Sequence, residues 1–156
     1  MSLTTTESSP SSSSRIHVNT GYIPPTEPSL PALAVQVTEM VDSYMLWIGT
    51  TNEPAESVQN APLQGCLARD WACAMPTRDV SINSSLPPAA TSLFRTSSSD
   101  IALSMSQRLA RRFKKQIFLS VDIPPSFQTM GQGPQLILAV EKTMVETLKE
   151  LEQRRT

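Results

Sequence analysis

A chain of 156 residues fits one core with disordered margins, since single cores usually form in roughly 100 to 200 residues. Its 13 Lys and Arg against 14 Asp and Glu leave a net charge of −1, which excludes a long-range field steering it onto nucleic acid or an anionic membrane. Hydrophobic residues make up 39% but aromatics only 5%, so the expected core is aliphatic and modest; no apolar run approaches the roughly 18 to 20 residues of a bilayer span, and a soluble protein is expected.

Residues 1–14 are almost entirely Ser and Thr around Pro10, a composition that buries too little surface to offset the entropy of ordering, and a disordered tail is expected there. The domain is expected over 15–156. Residues 15–19 alternate, with Ile16 and Val18 on one side and His17 on the other; Pro24, Pro25, Pro28 and Pro31 then rule out a central strand. Alternation resumes at Leu33, Val35 and Val37, turn chemistry follows at Asp42-Ser43, and Tyr44-Met45-Leu46-Trp47-Ile48-Gly49 completes the clearest hairpin in the sequence. Residues 50–68 are polar, contain Pro54 and Pro62 and show no period, so they are expected to be an insertion that loops outward. Trp71-Ala72-Cys73-Ala74-Met75 reads as a strand with helix as its rival, and Val80-Ser81-Ile82-Asn83 as another, ended by Pro87-Pro88.

Helical signals come next. Ser97, Ser98 and Ser99 offer N-caps, Ile101, Met105, Leu109 and Phe113 form one stripe, and Arg111, Arg112, Lys114 and Lys115 suit the carbonyl end of the helix dipole. Residues 116–122 alternate, with Ile117, Leu119 and Val121 on one face and Phe118 and Ser120 on the other. The turn Gly131-Gln132-Gly133-Pro134 leads into an apolar strand core at 135–139 and then a closing helix with Val140, Met144, Leu148 and Leu151 as its stripe. Strands, helix, two strands, helix predict an α+β domain: a single mainly antiparallel sheet of about five to six strands with two amphipathic helices on one face. The second sheet face is left exposed. If it carries apolar side chains such as Phe118, another chain should cover it, because bare apolar patches of several hundred Å² are uncommon on monomers.

The residue types needed for catalysis are missing in usable patterns. A serine nucleophile needs a base, yet the one histidine, His17, lies beside the expected tail. Cys66 and Cys73 have no histidine cluster to complete a tetrahedral zinc site and read as buried small hydrophobes; with no charged-then-apolar signal segment at the start, a reducing cytoplasmic or nuclear setting is expected. Gly131 and Gly133 are explained by a hairpin turn rather than a phosphate cradle, and Asp70 and Asp79 by solvated loops rather than acid–base work. The cluster Arg108, Arg111, Arg112, Lys114 and Lys115 could touch phosphates, but no stacking aromatics interleave with it, which favours a solvated helix end or contact with an acidic protein surface. No enzyme activity, cofactor or metal is expected.

Four segments in order carry a family resemblance: the hairpin ending Tyr44-Met45-Leu46-Trp47-Ile48-Gly49, the strand Arg69-Asp70-Trp71-Ala72-Cys73-Ala74-Met75, the block Gln107-Arg108-Leu109-Ala110-Arg111 with Lys115-Gln116-Ile117-Phe118-Leu119-Ser120, and Leu138-Ala139-Val140-Glu141-Lys142. Together they resemble the proteasome assembly chaperone 4 family in its fungal form. The resemblance implies a chaperone acting without nucleotide or metal, paired as a heterodimer with a proteasome assembly chaperone 3-like protein of related fold, that orders 20S proteasome α-subunits into their ring. The Ser/Thr-rich extension and the 50–68 segment have no counterpart in the short animal form. On this resemblance, Met45, Trp47, Trp71 and Phe118 are the expected anchors of the partner interface, with monomer core the rival assignment for both tryptophans. Arg108, Arg111, Arg112 and Lys115 are the expected α-subunit docking rim, with no nucleic acid or membrane among the partners. The alternative is a small α+β regulatory or nucleic-acid-binding module using the basic helix 108–115.

Overall fold

Period-two alternation is strongest through residues 33–49, and there the sheet is built. In the computed structural model, which describes residues 16–77, 86–95 and 100–155, His17–Ile23 (β1), Ala32–Met40 (β2) and Ser43–Thr51 (β3) form an antiparallel meander. The β2–β3 turn puts Asp42 in the left-handed region, φ 54°, which a short polar side chain tolerates better than a branched one. A 3₁₀ turn at Ala55–Asn60 and the short helix Ala61–Gln64 (α1) follow, then Trp71–Ala74 (β4), Ala90–Phe94 (β5), Ile101–Phe113 (α2), Gln116–Asp122 (β6), Pro125–Thr129 (α3) and Gly133–Arg155 (α4).

The six strands lie in the order β1-β2-β3-β6-β4-β5. The β3–β6 pair at the centre is parallel and the other pairs are antiparallel, so the mainly antiparallel α+β sheet expected from the sequence is what forms. Tyr44, Leu46, Ile48, Ile117, Leu119 and Val121 all point to one face, where the α2 stripe of Met105 and Leu109 and the α4 stripe of Leu136, Val140, Met144 and Leu148 cover them in one continuous core. α2 needs an N-terminal cap, and it comes from outside the helix: Asp70, 3% exposed, accepts a hydrogen bond from the Ala102 backbone N–H at 3.1 Å.

Several local expectations are corrected. Residues 135–139 are not a strand but the first turns of α4. Leu136 is buried and Leu138 is 69% exposed, which is helical placement, and a short apolar run cannot by itself separate a strand from a buried helix. Gly131 (φ 73°) and Gly133-Pro134 therefore join two helices, with Pro134 in the first turn of α4, where its missing N–H costs nothing. Asp70 is a buried cap rather than a solvated loop residue, and Cys66 is exposed while Cys73 is buried. The Ser/Thr-rich tail, the strand at 80–83, Asp79 and the Ser97 to Ser99 caps lie outside the described residues. The strand that pairs with β4 is Ala90–Phe94, just after Pro87-Pro88.

The 50–68 segment does not loop outward. Its 3₁₀ turn and α1 fold back as a strap over the sheet face opposite the helices, and Val58 and Ala61 pack with Ala34, Trp47 and Tyr22 in a second, smaller core. The indole of Trp47, 6% exposed, passes between two glycines whose smallness it requires: a Cβ on Gly65 would stand 2.4 Å from its Cζ2, and one on Gly49 2.6 Å. Gly65 has an ordinary φ of −84°, so space rather than backbone freedom selects glycine there. Gly65→Ala should accordingly lower the urea midpoint: an overpacking penalty of ~1–3 kcal/mol opposes only ~0.4–1 kcal/mol gained by stiffening the unfolded chain. A midpoint that rises would show that the strap does not press on Trp47.

Candidate functional site

Because strand side chains alternate, the residues left over from the helix-covered core define the opposite face. Strand register places Thr38, Met45, Phe118, Cys73 and Thr91 side by side in one row across five strands. The adjoining row is Gln36, Trp47, Ser120, Trp71 and Phe94, with a register shift between Trp71 and Ala72. Neither row contains a charged residue. Met45, Trp71 and Phe118 are half-buried, Cys73 is buried, and Phe94 at the β5 edge is 49% exposed. All four expected anchors thus share one face, but they divide: Trp47 is beneath the strap as part of the monomer's second core, while Met45, Trp71 and Phe118 lie outside it.

The polar groups that hold the strap down come from this second row and from the one beyond it. Asp122, 8% exposed at the end of β6, accepts hydrogen bonds from the Cys66 backbone N–H at 2.5 Å and from Arg69 Nε at 2.6 Å. One residue pair nearer the centre, the buried Ser120 donates its Oγ–H to the Leu67 carbonyl at 2.7 Å. A charged acceptor that satisfies a backbone donor and a guanidinium in a largely dry setting forms stronger bonds than neutral pairs. The strap is therefore fixed at three points, Cys66, Leu67 and Arg69.

The expected docking cations separate as well. All four belong to the helix-bearing side of the molecule, not to the rim of the open sheet face. Arg108 makes a two-pronged pair with Glu141 of α4, Nε to Oε1 at 2.5 Å and Nη2 to Oε2 at 2.9 Å. Arg111 donates to the Leu86 carbonyl at 3.2 Å, and Arg112 is exposed on the outer surface of α2. Lys115 turns inward: its Nζ donates to Glu152 Oε1 at 2.5 Å and to the Tyr44 hydroxyl oxygen at 3.1 Å, and stands 4.7 Å from the Tyr44 ring centroid. Tyr44 in turn donates its hydroxyl proton to Glu152. The triad ties β3 and α4 to the residue that leads into β6.

Comparison with known proteins decides the family. The family model for proteasome assembly chaperone 4 matches residues 32–123, from the start of β2 to the residue after β6. The chain belongs to the proteasome assembly chaperone 4 family. A solved chain from a structure described as a novel chaperone complex for yeast 20S proteasome assembly superposes with a TM-score of 0.60 at 18% identity, covering 88% of this chain and 98% of that one, which shows a shared fold. No curated protein sequence matches significantly. The residues matched by the proteasome assembly chaperone 4 model include both cross-strand rows, the strap and α2, and leave out β1 and α4. Among the described residues, no group of three or more His, Cys, Asp or Glu is placed to hold a metal ion, and no helix is long and apolar enough to cross a membrane.

Sequence reasoning does not single out Asp122, Ser120 or Phe94. Asp122 and Ser120 share the strand phase of Phe118, opposite the core positions, so two polar residues in that phase were the available sign of a segment bonded across the face. Phe94 falls in a five-residue strand behind two prolines, too short for alternation to register.

The Tyr44 hydroxyl is held above its ordinary titration range, first by burial and then by its hydrogen bond to Glu152. For Lys115, burial pulls the ammonium pKa down, but the hydrogen bonds to Glu152 and Tyr44 outweigh it and the net direction is upward. Both folded-state values are raised, so the stabilisation is complete below the unfolded values of about 10 and is lost as pH rises through the folded values. Thermal stability should hold flat from neutral pH and fall above about pH 10. Tyr44→Phe should lose about 1 kcal/mol at neutral pH and soften the alkaline fall; equally steep alkaline profiles for the two proteins would show that the triad does not set it.

Proposed function

We propose that this chain is a non-catalytic assembly chaperone that pairs through its open sheet face with a related chaperone of the proteasome assembly chaperone 3 kind. On that reading it escorts α-subunits of the 20S proteasome into their ring, in the cytoplasm or nucleus. The observation that carries it is the uncharged pair of rows across the sheet of a chain whose family is that of a proteasome assembly chaperone. A flat face bearing Met45, Phe118, Trp71 and Phe94 loses little on desolvation and gains roughly 25 cal/mol per Å² of apolar surface covered. The helix-bearing side would stay free in such a pair. Arg111 and Arg112, with the half-exposed Arg108, then form the surface that selects an α-subunit by charge, whereas Lys115 serves the monomer. The nucleic-acid reading of the basic helix is weakened by the same geometry, since Arg108 and Lys115 are neutralised by Glu141 and Glu152.

Native mass spectrometry of the chain co-expressed with the sister chaperone should show a one-to-one complex, and a chain that stays monomeric at micromolar concentration would refute the pairing. Met45→Asp combined with Phe118→Asp should weaken pairing by roughly 100-fold or more, because two carboxylates would be buried without partners, while the half-buried sites leave the monomer folded. Full-strength pairing of this variant would place the interface elsewhere. Charge reversal, Arg111→Glu with Arg112→Glu, should reduce α-subunit capture about tenfold with pairing unchanged; undiminished capture would move the docking surface off α2.

A further inference from the structure

The strap does more than hide Trp47: its inner border rises beside the open rows and forms a cleft. The cleft has a volume of ≈ 180 Å³ and is lined by Gln36 and Thr38 of β2, Met45 and Trp47 of β3, and Pro62 and Leu67 of the strap. This is smaller than the roughly 300–1,000 Å³ of small-molecule sites and suits a single side chain. Its lining is uncharged throughout, so nothing in it would compensate a buried ion, and four of its six side chains are apolar. Met45 and Trp47 belong both to the cleft and to the two cross-strand rows, which makes the cleft continuous with the face read above as the pairing surface.

The strap wall of the cleft is set by β6. Leu67 is held by its own carbonyl to Ser120, and residues on either side of it, Cys66 and Arg69, are both bonded to the one carboxylate of Asp122. Without that carboxylate, residues 65–69 lose the bonds at Cys66 and Arg69 and keep the one from Ser120, and Leu67 loses its fixed position over the cleft. Resting on the pairing proposed above, we infer that the cleft is a socket for one uncharged apolar side chain of the sister chaperone, and that Asp122 is the positioning residue that holds the socket's wall.

Two substitutions separate the socket from the fold. Thr38→Trp fills the cleft from β2 with a residue strands accept readily, and it should weaken pairing with the purified sister chaperone about tenfold while leaving the melting temperature of the free chain unchanged. Asp122→Ala should weaken pairing to a similar degree, and Asp122→Asn less, because its amide oxygen still accepts from the Cys66 N–H. The deciding readout is the double variant. If Asp122 acts through the socket, adding Asp122→Ala to Thr38→Trp causes little further loss, because the socket is already blocked; additive losses would reduce Asp122 to a general stabiliser and overturn the inference. Where Asp122→Ala fails to fold, Asp122→Asn takes its place in the cycle. Wild-type affinity for Thr38→Trp, with the wild-type chain itself pairing, overturns the socket and leaves the pairing intact. Failure of the wild-type chain to pair at all overturns both.

Discussion

The parallel contact between β3 and β6 is the constraint on which the rest of the molecule depends. Both strands are interior in the sheet and have no exposed edge, so their side chains can go only up or down, and register decides which. Tyr44, Leu46 and Ile48 stand in register with Ile117, Leu119 and Val121 on one face, and Met45 and Trp47 with Phe118 and Ser120 on the other. A shift of one residue in β3 would send Tyr44 away from Lys115 and Glu152, and the same shift in β6 would bring Phe118 into the helix-covered core. The triad of Tyr44, Lys115 and Glu152 therefore does more than dock α4. It is compatible with one register only, because it requires the hydroxyl, the ammonium and the carboxylate to meet at one end of the central pair.

With register fixed, the shortage of helices becomes the governing fact. Two long helices cover one face of a six-stranded sheet, and among the described residues the other face receives the strap alone. Covering the Trp47 end with the chain's own residues relieves the monomer of its largest apolar side chain in that region, and the close passage between Gly49 and Gly65 makes the cover tight. What stays open is narrower and of mixed size: Met45, Phe118, Trp71 and the edge residue Phe94, bordered by Thr38 and Thr91. A band of that kind does not force the monomer to aggregate, yet it still favours a partner of matching shape.

The sheet's architecture and its open face were legible because they rest on period two, which survives in any stretch long enough to show it. Leu33 to Ile48 and Ile117 to Val121 give the hairpin, the central strand and the phase of Phe118 without further information. The α2 stripe is equally plain, since Ile101, Met105, Leu109 and Phe113 return to one side every four residues. What was not legible depends on contacts between distant segments. Residues 135–139 are apolar at every position but the first, so the run carries no period, and only the continuation to Leu148 shows it to be a helix. The strap has no period at all: its place is set by Asp122 and Ser120, more than 50 positions away in the chain. Asp70 likewise looks like a loop carboxylate until the fold brings it to the start of α2, 32 positions on.

The two sides of this sheet differ in chemistry, and that difference bears on how an assembly factor could hold one protein while releasing another. The open face is uncharged, so an association there is governed by shape and apolar area, is little affected by salt, and dissociates slowly once water is excluded. The outer surface of α2 is charged and solvated; contacts there form quickly, are screened at physiological ionic strength and exchange readily when a competitor presents the same charges. Since the sheet lies between the two surfaces, occupation of one leaves the other accessible. On the function proposed here, the sister chaperone would take the durable surface and the α-subunit the exchangeable one, and ordered release would follow from the difference in their chemistry, with no energy-consuming step required of this chain.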